Sequence, residues 1–369
     1  SACLVGSEMC IRDRYRNTLK PFYGVLKTMD GYIKLGFLTG VTKFGKVSVF
    51  SDLNNLKDIS MRRDYIDICG ITDKELHRYF DKDLHPLADV QGLDYETVCL
   101  EVQKRYDGYH FNFNTPGIYN PFSLLNTFDA MAFGSYWFAT GTPSYLVYLL
   151  KKHHYRLEEI EKVEVTEDVL DSIDSEGTNP IPVIYQSGYL TIKDYDPEFG
   201  LYMLDYPNRE VEEGFVKYLM PFYIDKSEAE APFEIRRFVG EVRNGNIDGF
   251  FHRLQSFFAD APYEVIVGQD PVRNVELFFQ NVLFIVFRLA GFYTQVEYHT
   301  SRGRIDLVLK TDKFIYVMEF KQGATAEEAL AQINEKGYAD AFASDSRTLY
   351  KIGVSFSDEQ RNIERWLVE

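Results

Sequence analysis

The sequence predicts a mixed α/β chain in two parts, with a C-terminal α-β-β-β-α-β unit behind a larger, mostly helical region. Three observations carry this. The 369-residue length exceeds one ordinary core and implies two or three domains. Residues 274–355 alternate between helical and strand periodicity. Residues 64–110 look helical in pieces, whereas 183–206 alternates as a hairpin around Asp194–Gly200.

The elements follow in order. "SACLVGSEMCIRDR" (1–14) has neither periodicity and reads as a translated sequencing-adapter fragment, so the native protein is expected to continue upstream. Residues 15–27 suggest a helix, and "YIKLGFLTG" (32–40) a buried strand. Thr72 with Glu75 spells a capping box, Asn120-Pro121 starts a helix, and Thr142-Pro143 starts another. The C-terminal unit reads as helix 274–290, strands 292–299, 303–310 and 313–321, helix 325–343 and strand 348–355, then a closing segment. Thr325 and Glu328 cap the second helix, whose inward face would be Ala326, Leu330, Ile333, Gly337 and Ala341. The boundaries are 1–14, 15–230, a helical linker 231–260 and a C-terminal domain 261–369.

Composition limits function. The formal charge of −16 argues against coating nucleic acid by bulk electrostatics, although 261–369 carries only 12 basic and 16 acidic residues of the total. A polyanion can still be held in one cleft if metal ions supply positive charge. The four cysteines, Cys3, Cys10, Cys69 and Cys99, lack metal-ligand spacing and fit a reducing cytoplasm. "VELFFQNVLFIVFRLAGFY" (275–293) holds Glu276, Gln280, Asn281 and Arg288, so it reads as a buried helix, with no membrane partner.

The strand "FIYVMEFK" sets Glu319 and Lys321 on one face of an apolar run. Buried charge must be paired or ligate a metal, so this is either an internal salt bridge or a site for cations and phosphates. Asp306 lies in the preceding strand across "KTDK", Glu276 and Gln280 share a helix face, and Gln332 lies on the second helix. Two carboxylates suit Mg²⁺ or Mn²⁺, with water and phosphate oxygens completing the shell. Such a metal activates water for phosphodiester hydrolysis, and a lysine can orient that water.

"GFYTQVEYHTSRGRIDLVLKTDKFIYVMEFK" and "AEEALAQINEKGYADAF" resemble the PD-(D/E)XK nuclease superfamily over about 100 residues, in the subgroup that follows an AAA-ATPase-like domain in bacterial proteins. The resemblance implies a restriction-endonuclease-like αβββαβ core. It implies Asp306 and Glu319 as metal ligands, Lys321 as the catalytic lysine, and Glu276 and Gln332 as supporting members. The superfamily's Pro-Asp is Ile305-Asp306 here.

Upstream, Gly40-x4-Gly45-Lys46 nearly spells a phosphate loop, but Val47 replaces the hydroxyl and no helix pattern follows. "YIKLGFLTGVTKFGKVSVFSDLNNLKDIS", "WFATGTPSYLV" and "YPNREV" resemble instead the later part of the AAA-ATPase-like domain, a P-loop ATPase remnant with a mostly helical, winged lid. That resemblance implies Thr39, Thr42 or Lys43 as nucleotide-sensing residues and ATP as a cofactor of the longer protein, not of this chain. It also allows an oligomer through the ATPase-like part. The expected function is a metal-dependent nuclease, with DNA favoured as partner. The alternative is an inactive nuclease fold serving as a binding module on an ATPase-like switch. The aromatics Tyr106, Tyr109, Phe111, Phe113 and Tyr119 lack interleaved basic residues and are assigned to a core.

Overall fold

Hydrogen-bond capping shows where the helices begin. The computed structural model describes residues 21, 23–40, 57–137, 144–171, 179–223, 230–259, 271–291, 295–301, 304–357 and 359–369. Two units emerge, one of residues 1–149 and 160–211, the other of 150–159 and 212–369.

In the first unit, β1 (Ile71–Thr72) leads into α1 (Asp73–Tyr79), and Thr72 and Glu75 form the reciprocal capping box that the sequence spells. Helix α2 (Asp81–Gln91) ends at Gly92, whose φ of +65° is the left-handed cap glycine allows. Asp94 caps α3 (Tyr95–Tyr106). Strand β2 (Ile118–Tyr119) pairs with β1, and Asn120 caps α4 (Pro121–Ala130) with proline at its first position. Leu76, Leu84, Leu87, Val98, Val102 and Leu124 pack these helices together. Tyr106 and Tyr119 are buried with them, and Phe113 stacks on Tyr195 at 4.5 Å, so most of that aromatic run fills a core; Phe111 is exposed. Farther on come α5 (Ser144–Lys152, whose last three residues belong to the second unit), β3 (Val163–Thr166), α6 (Glu167–Asp171), α7 (Ile181–Gln186), β4 (Thr191–Asp196) and β5 (Leu201–Asp205). Strands β4 and β5 form the expected hairpin inside a three-stranded antiparallel sheet, order β3-β5-β4.

The segment 32–40 departs from expectation. Tyr32 closes a 3-10 turn (Asp30–Tyr32), residues 33–40 are irregular, and the segment is exposed, with Tyr32 and Leu35 each 85% accessible. No described strand pairs with it, and a strand without ladder partners cannot bury its peptide groups. The adapter-like residues 1–14, the start of the 15–27 helix, Thr142-Pro143 and the near phosphate loop lie outside the described residues, apart from Gly40.

In the second unit, α8 (Arg209–Tyr223, whose first three residues belong to the first unit), α9 (Ala231–Asn244), α10 (Ile247–Ala259) and α11 (Pro271–Gly291) precede β6 (Gln295–Ser301), β7 (Arg304–Lys310) and β8 (Phe314–Gln322). Helix α12 (Ala326–Glu335), β9 (Thr348–Ser357) and β10 (Asn362–Val368) follow. The sheet order is β10-β9-β8-β7-β6. All neighbours are antiparallel except β8 and β9, which α12 links as a parallel crossover. The closing segment is thus a fifth strand.

Alternation on β8 divides the sheet into two faces. Phe320 packs among Phe251, Phe287 and Phe356, and Tyr316 donates to the Val242 carbonyl at 2.6 Å, so α9, α10 and α11 cover one face. Ile315 and Val317 meet Ile333, Ala339 and Leu330 on the other, under α12. Thr325 and Glu328 cap α12 as expected. That helix is shorter than the 325–343 expectation. Gly337 turns left-handed at φ +62°, so Ala341 is exposed and lies outside the helix. The apolar 275–293 stretch forms most of α11, buried from Phe278 through Phe287, and no described helix is long and apolar enough to cross a membrane.

Candidate active site

Because side chains alternate along β8, Ile315, Val317, Glu319 and Lys321 share the face under α12. The antiparallel register sets Asp306 of β7 directly opposite Glu319, and Arg304 opposite Lys321. Opposed positions in such a pair have Cα atoms about 4.5–5.5 Å apart. On the other side, the parallel register sets Gly353 beside Glu319 and Ser355 beside Lys321.

Glu319 is completely buried, and Lys321 is half-buried nearer the strand's end. A buried carboxylate is costly unless it is paired, and the residue at the directly opposed register position is a second acid. A divalent cation would offset that cost. Two carboxylates are the donor set Mg²⁺ takes, with water and phosphate filling the other positions. Among the described residues no group of three or more His, Cys, Asp or Glu is arranged around a metal, and a two-carboxylate site falls below that number.

Gly353 adds a feature the sequence reading missed. A Cβ there would lie 2.2 Å from the Ala326 carbonyl oxygen and 2.4 Å from the Leu330 nitrogen. The first turns of α12 therefore press their backbone onto β9 beside Glu319. A lone glycine inside a strand pattern is the signal that could have shown this.

The other expected residues are more dispersed. Gln332 is half-buried on α12, next to buried Ile333, on the helix covering the carboxylate face. Glu276 lies in the first third of α11, whose Phe279 stacks at 4.2 Å on Phe356, the register partner of Gln322. Its helix thus reaches the same end of the sheet as Lys321 but packs on the opposite face. Thr39 is exposed in the irregular 33–40 segment of the first unit, and Thr42 and Lys43 lie outside the described residues.

Residues 274–366, from α11 into β10, match the family described as the PD-(D/E)XK nuclease superfamily. Residues 4–50 match the family described as a predicted AAA-ATPase. The "Uncharacterized protein in vnfD 5'region" of Azotobacter chroococcum mcd 1 is 33% identical over 368 residues, covering 97% of this chain and 67% of that protein. No solved structure matches.

Proposed function

Since the chain belongs to the family of AAA-ATPase-like proteins that carry a C-terminal PD-(D/E)XK nuclease superfamily domain, we propose that the second unit hydrolyses phosphodiester bonds in nucleic acid with Mg²⁺ or Mn²⁺. The observation that carries this is the register pairing Asp306 with fully buried Glu319, two residues before Lys321. Asp306 and Glu319 are the residues that would hold the cation. When bound, it polarises the scissile phosphate and makes water a competent nucleophile near neutral pH.

The chain's own contribution is positional. The α12 backbone, seated on Gly353, covers Glu319 and keeps bulk water from it. Lys321 holds the attacking water or balances negative charge developing on the phosphate. Gln332 supports the site from α12, the helix over the carboxylate face. Where a phosphate loop accompanies this chain, nucleotide sensing through Thr39, Thr42 or Lys43 would couple this cleavage to ATP.

The test is cleavage of single- and double-stranded DNA and RNA with Mg²⁺, Mn²⁺ or EDTA, comparing wild type with Asp306→Ala and Lys321→Ala. Cation-dependent cleavage abolished by both changes is expected. Cleavage that survives both removes the site, and no cleavage of any substrate leaves a binding module.

A further inference from the structure

The sheet register extends the site sideways. Across four strands, Arg304, Lys321, Ser355 and Arg365 occupy one cross-strand row, two residues along from the row of Asp306, Glu319, Gly353 and Leu367. By register, two arginine positions and a lysine position thus stand beside two acidic positions, near the start of α12. In a chain of formal charge −16, such a local row is where a polyanion would find complementary charge.

Arg365 reaches this row by an irregularity. Strand β10 pairs Ile363 with Phe356, then shifts register so that Arg365 pairs with Ser355 and Trp366 with Val354. Without the shift, Ile363 and Arg365 would lie on one face by simple alternation. The extra residue, Glu364, turns Arg365 onto the carboxylate face and Trp366 onto the phenylalanine face, where it stacks on Phe251 at 5.0 Å. Bulges beside active sites commonly re-aim a side chain in this way. Arg365 is exposed, and its Nη1 meets Glu327 Oε1 of the first turn of α12 at 2.8 Å. With both side chains more than half exposed, that ion pair is weak and exchangeable for another anion.

We propose that this row is a phosphate track: the nucleic-acid backbone crosses the strands at the end of the sheet, with Arg365 contacting a phosphate next to the one at Lys321, and with the register position of Arg304 on the other side of Lys321. The inference rests on the nuclease reading above and adds the substrate's path. From β7 to β10 the row spans three strand spacings, about 14 Å, the axial length of roughly four nucleotides of a duplex strand. Glu327 acts as a counter-ion that an arriving phosphate displaces.

Two substitutions test it with opposite signs. Binding of a short fluorescein-labelled DNA, single-stranded or duplex, is read by anisotropy in EDTA between about 50 and 200 mM salt, and KM is read in Mg²⁺. Arg365→Ala is expected to weaken binding about three- to tenfold and to lower the slope of log affinity against log salt by about 0.7–0.9. KM should rise while kcat holds. Glu327→Gln is expected to tighten binding, because it frees Arg365 and removes a negative charge. If both changes act in the same direction, the pair is only a structural tie and the track is wrong. If neither alters affinity or KM while wild type still cleaves, the track falls and the nuclease reading stands. If wild type neither binds nor cleaves, both fall.

Discussion

Each unit buries a glutamate, and the two are buried differently. Glu210, 3% exposed in the first unit, accepts the Trp137 N–H at 2.9 Å, and burial raises its pKa against the opposing pull of donors from Ser123, Trp137 and Tyr136. It begins a helix, where the dipole favours a carboxylate. Glu319, fully buried in the second unit, has an acid opposite it in the ladder on one side and a bare glycine on the other. Burial of an acid therefore does not mark a site by itself. A second acid at the opposed register position is the feature that sets Glu319 apart from Glu210, and it is the one the metal proposal rests on.

The largest effect should separate the two. Glu319→Gln is expected to lower Mg²⁺-dependent cleavage by more than the roughly 10- to 100-fold typical of losing a residue behind a metal ligand, whereas Glu210→Gln leaves turnover unchanged. Gly353→Ala comes next. Its Cβ meets the α12 backbone, which cannot swing aside, so a loss of about 1–3 kcal/mol is expected in urea unfolding.

A smaller effect tests Glu210 through pH. Its folded pKa lies above the ordinary 4.5, so its contribution is fully present below about 4.5 and is lost as pH rises through the folded value. Glu210→Gln should thus gain stability relative to wild type as pH rises from that point; a relative loss would show that the carboxylate is held favourably in its charged form. The smallest effects, about 1 kcal/mol each, are expected for Thr72→Ala and Thr325→Ala, one capping box per unit. Equal losses would show that the two helix starts are equivalent even though only one adjoins the carboxylates.

Local chemistry was legible in the sequence where a few neighbouring residues decide the outcome. Both capping boxes, the Asn120-Pro121 helix start, the β4–β5 hairpin and the α-β-β-β-α-β order are of this kind. The facing of Asp306 and Glu319 was legible too, because a short hairpin allows few registers. What escaped depends on distant partners. The 32–40 segment has strand composition but no strand beside it. Strand β10 escaped because its bulge at Glu364 breaks the alternation that identifies a strand, so Arg365 could not be assigned a face. The end of α12 at Glu335 could have been read from Gly337, since a glycine after a periodic run marks a helix terminus.

The most direct measurement is Mn²⁺ binding by calorimetry to wild type, Glu319→Gln and Glu210→Gln, with no substrate present. The account predicts a Mn²⁺ site in wild type that disappears in Glu319→Gln and persists in Glu210→Gln. Mn²⁺ binding that Glu319→Gln leaves intact would contradict it.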